Sequence, residues 1–225
     1  MGFMDKLLRK TVRPNEGSQE APQRVTPVDA VPSQAGERDG LPDKWYVPQD
    51  SSSDRFIGAT GLPTLRLIPY RDAGGEHVLR LCEDGTGLLV GPTDRRLSRA
   101  GIYVSQLRGE AHHQAECRAG NFYPGEPVRL VREPENPYDR NAVAVYDATG
   151  KHMAAYINKQ KARTLAKLID SGAEIEAISI RGTRSGLACD QVAILAASPE
   201  VLRHVLSPRS ANAPRPAHER DRPPD

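Results

Sequence analysis

A short proline-stiffened segment, residues 136–141 with the sequence NPYDRN, carries the residues best suited to chemistry in this chain. Pro134 and Pro137 restrict the backbone, because proline fixes its own φ and keeps the preceding residue extended. Such a loop can hold the Tyr138 ring and the Asp139 carboxylate at fixed geometry. The ring can stack on a nucleobase, and the carboxylate, which repels phosphates, can accept a hydrogen bond from a terminal hydroxyl.

The same segment also fits purely structural roles, and the residues alone leave both open. Tyr138 can pack on a small core, as aromatic side chains often do. Asp139 can cap a turn, and Asn141 is more typical of a side chain that satisfies loop amides. Arg132 and Glu133 fit exposed charges at the end of a strand.

Basic side chains that can neutralise phosphates follow this segment. Lys159, Arg163 and Lys167 recur every four residues along a predicted helix. Lys159 is the strongest candidate, because backbone amides at a helix N-terminus also favour an anion. A solvated helix face gives the same stripe of charge.

Metal binding and nucleophilic catalysis find little support. His112, His113 and Cys117 lack the further ligands at recognisable spacing that a structural zinc site needs. Cys117 has no sequence context that would activate a thiol. The three cysteines, the other two being Cys82 and Cys189, are interpreted as unpaired, which fits a reducing cytoplasm. We therefore expect no metal, no cofactor and no enzymatic activity.

The elements that position these residues are mostly short strands. Alternating or β-rich runs predict strands near residues 65–69, 78–81, 88–90, 102–107, 128–131, 142–146, 152–157, 174–181 and 191–196. One main helix begins after Asn158, a suitable N-cap, and ends before Gly172. A terminal helix is expected over 199–206. This pattern predicts a mainly β (α+β) fold, a small β-barrel with one inserted helix.

Four regions follow from composition. Residues 1–56 are polar and proline-rich and predict a disordered arm, with a short amphipathic helix over 2–11 and with Trp45 and Tyr46 near the folded part. Residues 57–100 predict a β-rich extension or small subdomain, with a hairpin turn at Asp84-Gly85. Residues 101–206 form the main domain, and 207–225 a second disordered tail.

The run from Leu130 to Val145, LVREPENPYDRNAVAV, resembles the signature of the HIRAN domain family, a strand ending in Arg-(Glu/Asp)-Pro followed by Asn-Pro-Tyr-Asp-x-Asn-Ala-Val. The resemblance covers about 101–183. It implies an OB-like or SH3-like barrel that binds single-stranded DNA at its 3′ end. Some members place the domain beside a Swi/Snf-type ATPase. This sequence has no Gly-x4-Gly-Lys-Ser/Thr phosphate loop, which predicts a free-standing HIRAN protein of bacterial type.

The resemblance also assigns roles to individual residues. It implies that Tyr138 and Asp139 contact the 3′ end and that Arg108 faces the terminal phosphodiester. Tyr156 matches a position that is often aromatic or His in the family and is a second stacking candidate, beside the phosphate contact expected of Lys159. Arg181 takes the place of an aromatic residue on the strand after the helix. An arginine can stack on a base through its planar guanidinium. Two other positions depart from the pattern: Gly109 replaces an aromatic residue, and Ala155 replaces a glycine.

Composition restricts the function classes. The 31 Lys and Arg nearly balance the 29 Asp and Glu, which excludes a polybasic DNA coat but allows a local basic groove. No run of apolar residues is long enough to cross a membrane, and no signal peptide is evident.

The prediction is a cytoplasmic, non-enzymatic module that binds single-stranded DNA ends in repair or processing, with a repair or helicase protein as a possible partner. The alternative is a protein-interaction adapter. A third hypothesis, membrane association through residues 3–10, is not expected.

Overall fold

The chain folds into nine short strands, five α-helices and two three-residue 3₁₀ helices over the residues that the computed structural model describes, 41–49, 52, 54–72, 74–189 and 191–220. The strands are β1 (Leu65–Arg71), β2 (His77–Glu83), β3 (Leu89–Val90), β4 (Tyr103–Arg108), β5 (Pro127–Arg132), β6 (Val143–Asp147), β7 (Met153–Ile157), β8 (Glu176–Arg181) and β9 (Ala193–Ala197). The helices are α1 (Arg96–Arg99), α2 (Gln114–Ala119), α3 (Lys159–Asp170), α4 (Pro199–Leu206) and α5 (Ala217–Arg220). These described residues belong to one structural unit, residues 37–225.

Six of the strands close into an antiparallel barrel in the order β4-β7-β6-β5-β8-β9. The barrel interior is filled by alternate residues of each strand, among them Leu107, Val143, Val145 and Ile157. Helix α3 places its buried stripe, which includes Leu165, in the same core. The predicted small barrel with one main helix is therefore confirmed.

Strand β9 explains how the extension joins the barrel. Its sequence, AILAA, is apolar throughout, so both faces of the strand can be buried. Ile194 points into the barrel core, whereas Leu195 belongs to a second core outside the barrel. That second core also contains Leu65 of β1 and Leu202 of α4. The extension therefore completes the packing of the outer face of the barrel.

The extension itself is a three-stranded antiparallel sheet in the order β1-β2-β3. Strands β2 and β3 form the predicted hairpin around the turn at Asp84 and Gly85, with Leu81 paired to Val90. The sequence analysis did not predict α1 or α2, because helices of four and six residues are too short to show a clear apolar period.

The N-terminal segment differs from the prediction of disorder through residue 56. Tyr46 pairs with Leu89 as an isolated parallel bridge, and the Val47 amide donates to the Leu89 carbonyl at 2.9 Å. Leu41, Tyr46 and Phe56 are buried, so the apolar side chains of this polar stretch reach the extension sheet. The expected contact of Tyr46 with the folded part is confirmed. The predicted helix over 2–11 lies outside the described residues.

The C-terminal segment also differs from its prediction as a disordered tail. The Arg209 guanidinium donates to Asp84 at 3.2 Å, and the Ala217 amide donates to the Gly87 carbonyl at 2.8 Å. A Cβ at Gly87 would collide with the Arg215 carbonyl oxygen, so only glycine permits this close approach. Composition did not reveal these contacts, since polar and backbone groups make most of them.

No helix among the described residues combines the length and the apolar character needed to cross a bilayer.

Candidate nucleic-acid groove

A groove of about 1090 Å³ lies where β4, β7 and the start of α3 meet the loop after β5. Five of the six predicted contact residues line it: Arg108, Tyr138, Asp139, Tyr156 and Lys159. These residues come from three separate stretches of the chain, at 108, 138–139 and 156–159. The fold alone brings them together.

The rim of the groove is the loop between β5 and β6, and one asparagine organises it. The side-chain Oδ1 of Asn136 accepts hydrogen bonds from the backbone amides of Tyr138 at 3.0 Å and Asp139 at 3.4 Å. The side-chain Nδ2 of Asn136 donates to Glu133 Oε2 at 2.9 Å. The loop conformation is thus fixed by its own side chains, as Asx turns commonly are.

Tyr138 is the most exposed large hydrophobic side chain among the described residues, at 92% exposure. The structural alternative, in which its ring packs on the barrel, is therefore wrong. An exposed ring held on a rigid loop offers both faces to a planar partner.

Asp139 beside it is ionised and hydrogen-bonded. Its Oδ1 accepts from the backbone amide of Asn141 at 2.8 Å and from the Asn141 side chain at 3.2 Å. These bonds, the backbone one most, hold the pKa of Asp139 below its ordinary value, and the charges of Lys159 and Arg132 act in the same direction. Asp139 therefore caps the turn, as the structural interpretation of the sequence expected, and its carboxylate also lines the groove.

The floor of the groove is a tyrosine anchored to a carboxylate. Tyr156 on β7 pairs with Arg108 on β4, which places both side chains on the outer face of the barrel. The Tyr156 hydroxyl donates to Glu133 Oε2 at 3.0 Å. Burial raises the pKa of Tyr156, and the hydrogen bond to Glu133 raises it further, so the phenol stays neutral.

Basic groups flank this floor. Lys159 is the first residue of α3, whose N-cap Asn158 accepts from the Gln160 amide at 3.0 Å. The Lys159 ammonium and the helix N-terminus therefore favour an anion at the same place. Arg108, which pairs with Tyr156 across β4 and β7, is exposed.

Three groups outside the six predicted contact residues also shape the groove. His113 makes an edge contact with the Tyr156 ring, at 5.9 Å between centroids. Glu133 and Asn136 form the network under the loop. The one sequence signal for the role of Glu133 was its position just before the first proline of the loop. Its hydrogen bond to Tyr156 depends on strand pairing, which the local sequence does not show.

Arg181 lies elsewhere, contrary to its predicted role. Its guanidinium donates to Asp72 at 2.7 Å, and it lines a separate cavity of about 270 Å³ between the extension sheet and the barrel. The reason is that the extension, which the resemblance did not cover, supplies a carboxylate at this point.

The cysteines also differ from the prediction. Cys117 and Cys189 form a disulfide across 72 residues, and Cys82 is free and buried. Cys117 is thereby unavailable as a metal ligand or nucleophile. Among the described residues, no group of three or more His, Cys, Asp or Glu side chains is placed to hold a metal ion.

The fold and the groove define a small β-barrel domain with an exposed loop between β5 and β6 that its own hydrogen bonds hold in place. We call this loop the recognition loop. The family model of the HIRAN domain matches residues 101–195. This match covers the segment in which the signature around Tyr138 predicted the resemblance.

Several solved structures are similar to part of the chain. The crystal structure of the HIRAN domain of human HLTF is 25% identical, with 47% of this chain and 83% of that chain covered and a TM-score of 0.35. A crystal structure of a Lactobacillus plantarum protein is 21% identical, with coverage of 42% and 91% and a TM-score of 0.34. The NMR structure of the HLTF HIRAN domain in its DNA-bound conformation is 24% identical, with coverage of 47% and 82% and a TM-score of 0.32. A comparison with curated proteins gives no match.

Proposed function

We propose that this chain is a non-enzymatic module that binds the 3′ end of single-stranded DNA in the groove, as an accessory factor in cytoplasmic DNA repair or processing. The observation that carries the proposal is the convergence of Arg108, Tyr138, Asp139, Tyr156 and Lys159 on one groove. The HIRAN family match over residues 101–195 supports it, because a HIRAN domain, that of HLTF, has a DNA-bound conformation.

Stacking on Tyr138 supplies the sequence-independent part of binding. The ring is 92% exposed, so a terminal base meets it without displacing protein contacts. Such stacking is worth about 1–3 kcal/mol per base for any sequence. Because Asn136 already fixes the loop, little conformational entropy is lost when the base docks.

End selectivity follows from Asp139. Its ionised carboxylate accepts a hydrogen bond from a free 3′-hydroxyl and repels a 3′-phosphate. Arg108 and Lys159 then neutralise the phosphodiesters that lead away from the terminal nucleotide. With few basic residues in the groove, the affinity should depend only weakly on salt.

A protein-interaction adapter is the second candidate, and two observations favour it. Arg181 is engaged with Asp72, so it does not replace the missing aromatic residue in the groove. Gly109 next to Arg108 leaves open space, since a Cβ there meets nothing within 4 Å. The groove thus has fewer stacking surfaces than the family resemblance implies, which lowers the affinity expected for DNA.

The deciding experiment is fluorescence anisotropy on short single strands that end in a 3′-hydroxyl or a 3′-phosphate. We expect the wild type to prefer the hydroxyl, Tyr138→Ala to weaken binding of both strands, and Asp139→Ala to lose the preference. Tyr138→Phe, which keeps the ring, is the matched control and should bind like the wild type. Equal binding of both strands by the wild type overturns the end-specific proposal. No binding at moderate salt favours the adapter.

A further inference from the structure

One wall of the groove, formed by His112 and His113, lies beside a helix that a disulfide attaches to the barrel core. Cys117 in α2 and Cys189 in the connection between β8 and β9 have Cα atoms 5.7 Å apart, within the normal range for a disulfide. Both belong to the barrel core and are 1% and 8% exposed. They therefore join α2 to the connection between β8 and β9, two parts of the chain that are 72 residues apart.

The wall lies next to this attachment. His112 and His113 line the groove and immediately precede α2, and the Cys117 amide donates to the His113 carbonyl at 2.8 Å. A helix of six residues has little stability of its own. Its position is set by what holds it, so a change at Cys117 is transmitted to His113 and its contact with the Tyr156 ring.

Weaker contacts accompany the disulfide. The Gly186 amide donates to the Arg118 carbonyl at 2.7 Å, and the Ser185 hydroxyl donates to the Ala119 carbonyl at 2.7 Å. Both lie on an exposed stretch of the connection, residues 184–188. Hydrogen bonds between exposed groups contribute little net free energy, so the covalent bond is the strongest restraint between α2 and the connection.

We propose that the Cys117–Cys189 pair is a redox modification site whose disulfide clamps the histidine wall of the groove and whose reduction weakens DNA-end binding. The effect on DNA rests on the proposed function above. In a reducing compartment, protein disulfides are typically transient and redox-sensing. A disulfide between the core and the wall of a binding groove would therefore make binding in that groove depend on the thiol–disulfide ratio of the cell.

The chemistry is thiol–disulfide exchange with a low-molecular-weight disulfide. One protein thiolate attacks the small disulfide and releases one small thiolate, and the second protein thiolate then attacks the mixed disulfide and releases the other. Two protein thiols are oxidised, one small disulfide is reduced to two thiols, and the two protons pass to the released thiolates. The reverse reaction needs two equivalents of a small thiol.

Cys82 does not compete in this exchange. It lies on β2, in the core of the extension sheet. Burial raises the pKa of its thiol to about 11, so very little thiolate exists at neutral pH. Cys117 and Cys189 therefore pair only with each other.

Two measurements on the full chain test the proposal. Alkylation in denaturant without reductant, followed by mass spectrometry, counts the free thiols after equilibration in glutathione buffers of different ratio. We expect one alkylated cysteine under oxidising conditions and three under reducing conditions. Hydrogen exchange at residues 109–120 should then be at least about fivefold faster in the reduced chain, because the wall loses its covalent restraint.

Affinity for a short strand with a 3′-hydroxyl should fall at least about fivefold on reduction, the lower end of normal coupling between sites. The double variant Cys117→Ser with Cys189→Ser should bind like the reduced wild type under both conditions, whereas Cys82→Ser should keep the full redox response. Three free thiols under oxidising conditions, or equal exchange in both states, overturns the clamp. Faster hydrogen exchange in the reduced chain, with no DNA binding by the oxidised or the reduced chain, overturns the proposed function but supports the disulfide clamp.

Discussion

The hydroxyl of Tyr156 on β7 donates a hydrogen bond to the carboxylate of Glu133, at the end of β5, over 3.0 Å. The two strands are not neighbours, since β6 separates them in the barrel. The bond therefore links the floor of the groove directly to its recognition loop. Because Glu133 also accepts from Asn136, the position of the loop depends on the tyrosine.

Removing the Tyr156 hydroxyl should break the hydrogen bond that links the floor of the groove to the recognition loop. We expect Tyr156→Phe to lower the free energy of unfolding by about 1 kcal/mol, the usual net value of such a hydrogen bond. Combined with Glu133→Ala, the loss should be clearly less than additive, because both changes break the same bond. Urea denaturation of the four proteins in the cycle measures this. Tyr103→Phe, a partly buried tyrosine of β4 outside this network, is the control and should be additive with Glu133→Ala.

The two arginines of the original prediction should behave differently towards DNA. Arg108 lines the groove, so Arg108→Gln should reduce the slope of log affinity against log salt concentration by about 0.7, the value for one phosphate on a single strand. Arg181 is paired with Asp72, so Arg181→Gln should leave the slope unchanged. Anisotropy titrations at several salt concentrations compare them. A slope that falls equally in both variants contradicts the assignment of the groove.

The preference for a 3′-hydroxyl should survive moderate acid. The pKa of Asp139 lies below its ordinary value of 3.8, so the carboxylate remains charged at pH 5. Its contribution to the stability of the loop is complete above pH 3.8 and is lost as the pH falls through the lowered value. The preference should be smaller at pH 5 than at pH 8, because a terminal phosphate loses charge near pH ~6, but it should not vanish.

Titrations of both strands at pH 8 and pH 5 test this expectation. Asp139→Asn, which keeps the shape and removes the charge, should show no preference at either pH. A wild-type preference that disappears completely at pH 5 would assign the selectivity to another group that titrates between the two values.

The shared core predicts that the extension and the barrel unfold together. Leu195 is completely buried between them, and Leu195→Ala should cost about 2–5 kcal/mol. Leu206→Ala, at a position 46% exposed, is the control and should have a small effect. Thermal and chemical denaturation should show one transition for the wild type. Two separate transitions would mean that the extension folds on its own.

Much of the barrel could be predicted because the determining interactions are local. The N-cap at Asn158, the stop at Gly172 and the hairpin turn at Asp84 and Gly85 each act within a few residues. The short helices α1 and α2 had no comparable local signal. The buried contacts of residues 41–49 were missed because polar composition hides a few well-placed apolar side chains.

The recognition loop could be found for the same reason. Two prolines, an asparagine and an aspartate fix the backbone around Tyr138 through bonds that span at most a few residues. The sequence therefore determined the type of loop and the residues that it displays.

Tertiary structure decided what surrounds that loop. The bond from Tyr156 to Glu133, the pairing of Cys117 with Cys189 and the capture of Arg181 by Asp72 join residues 23, 72 and 109 positions apart. Contacts at such separations leave no periodic trace in the chain, because they depend on which strands pair and in what register. Local chemistry determined the recognition loop, and the closure of the barrel determined its neighbours.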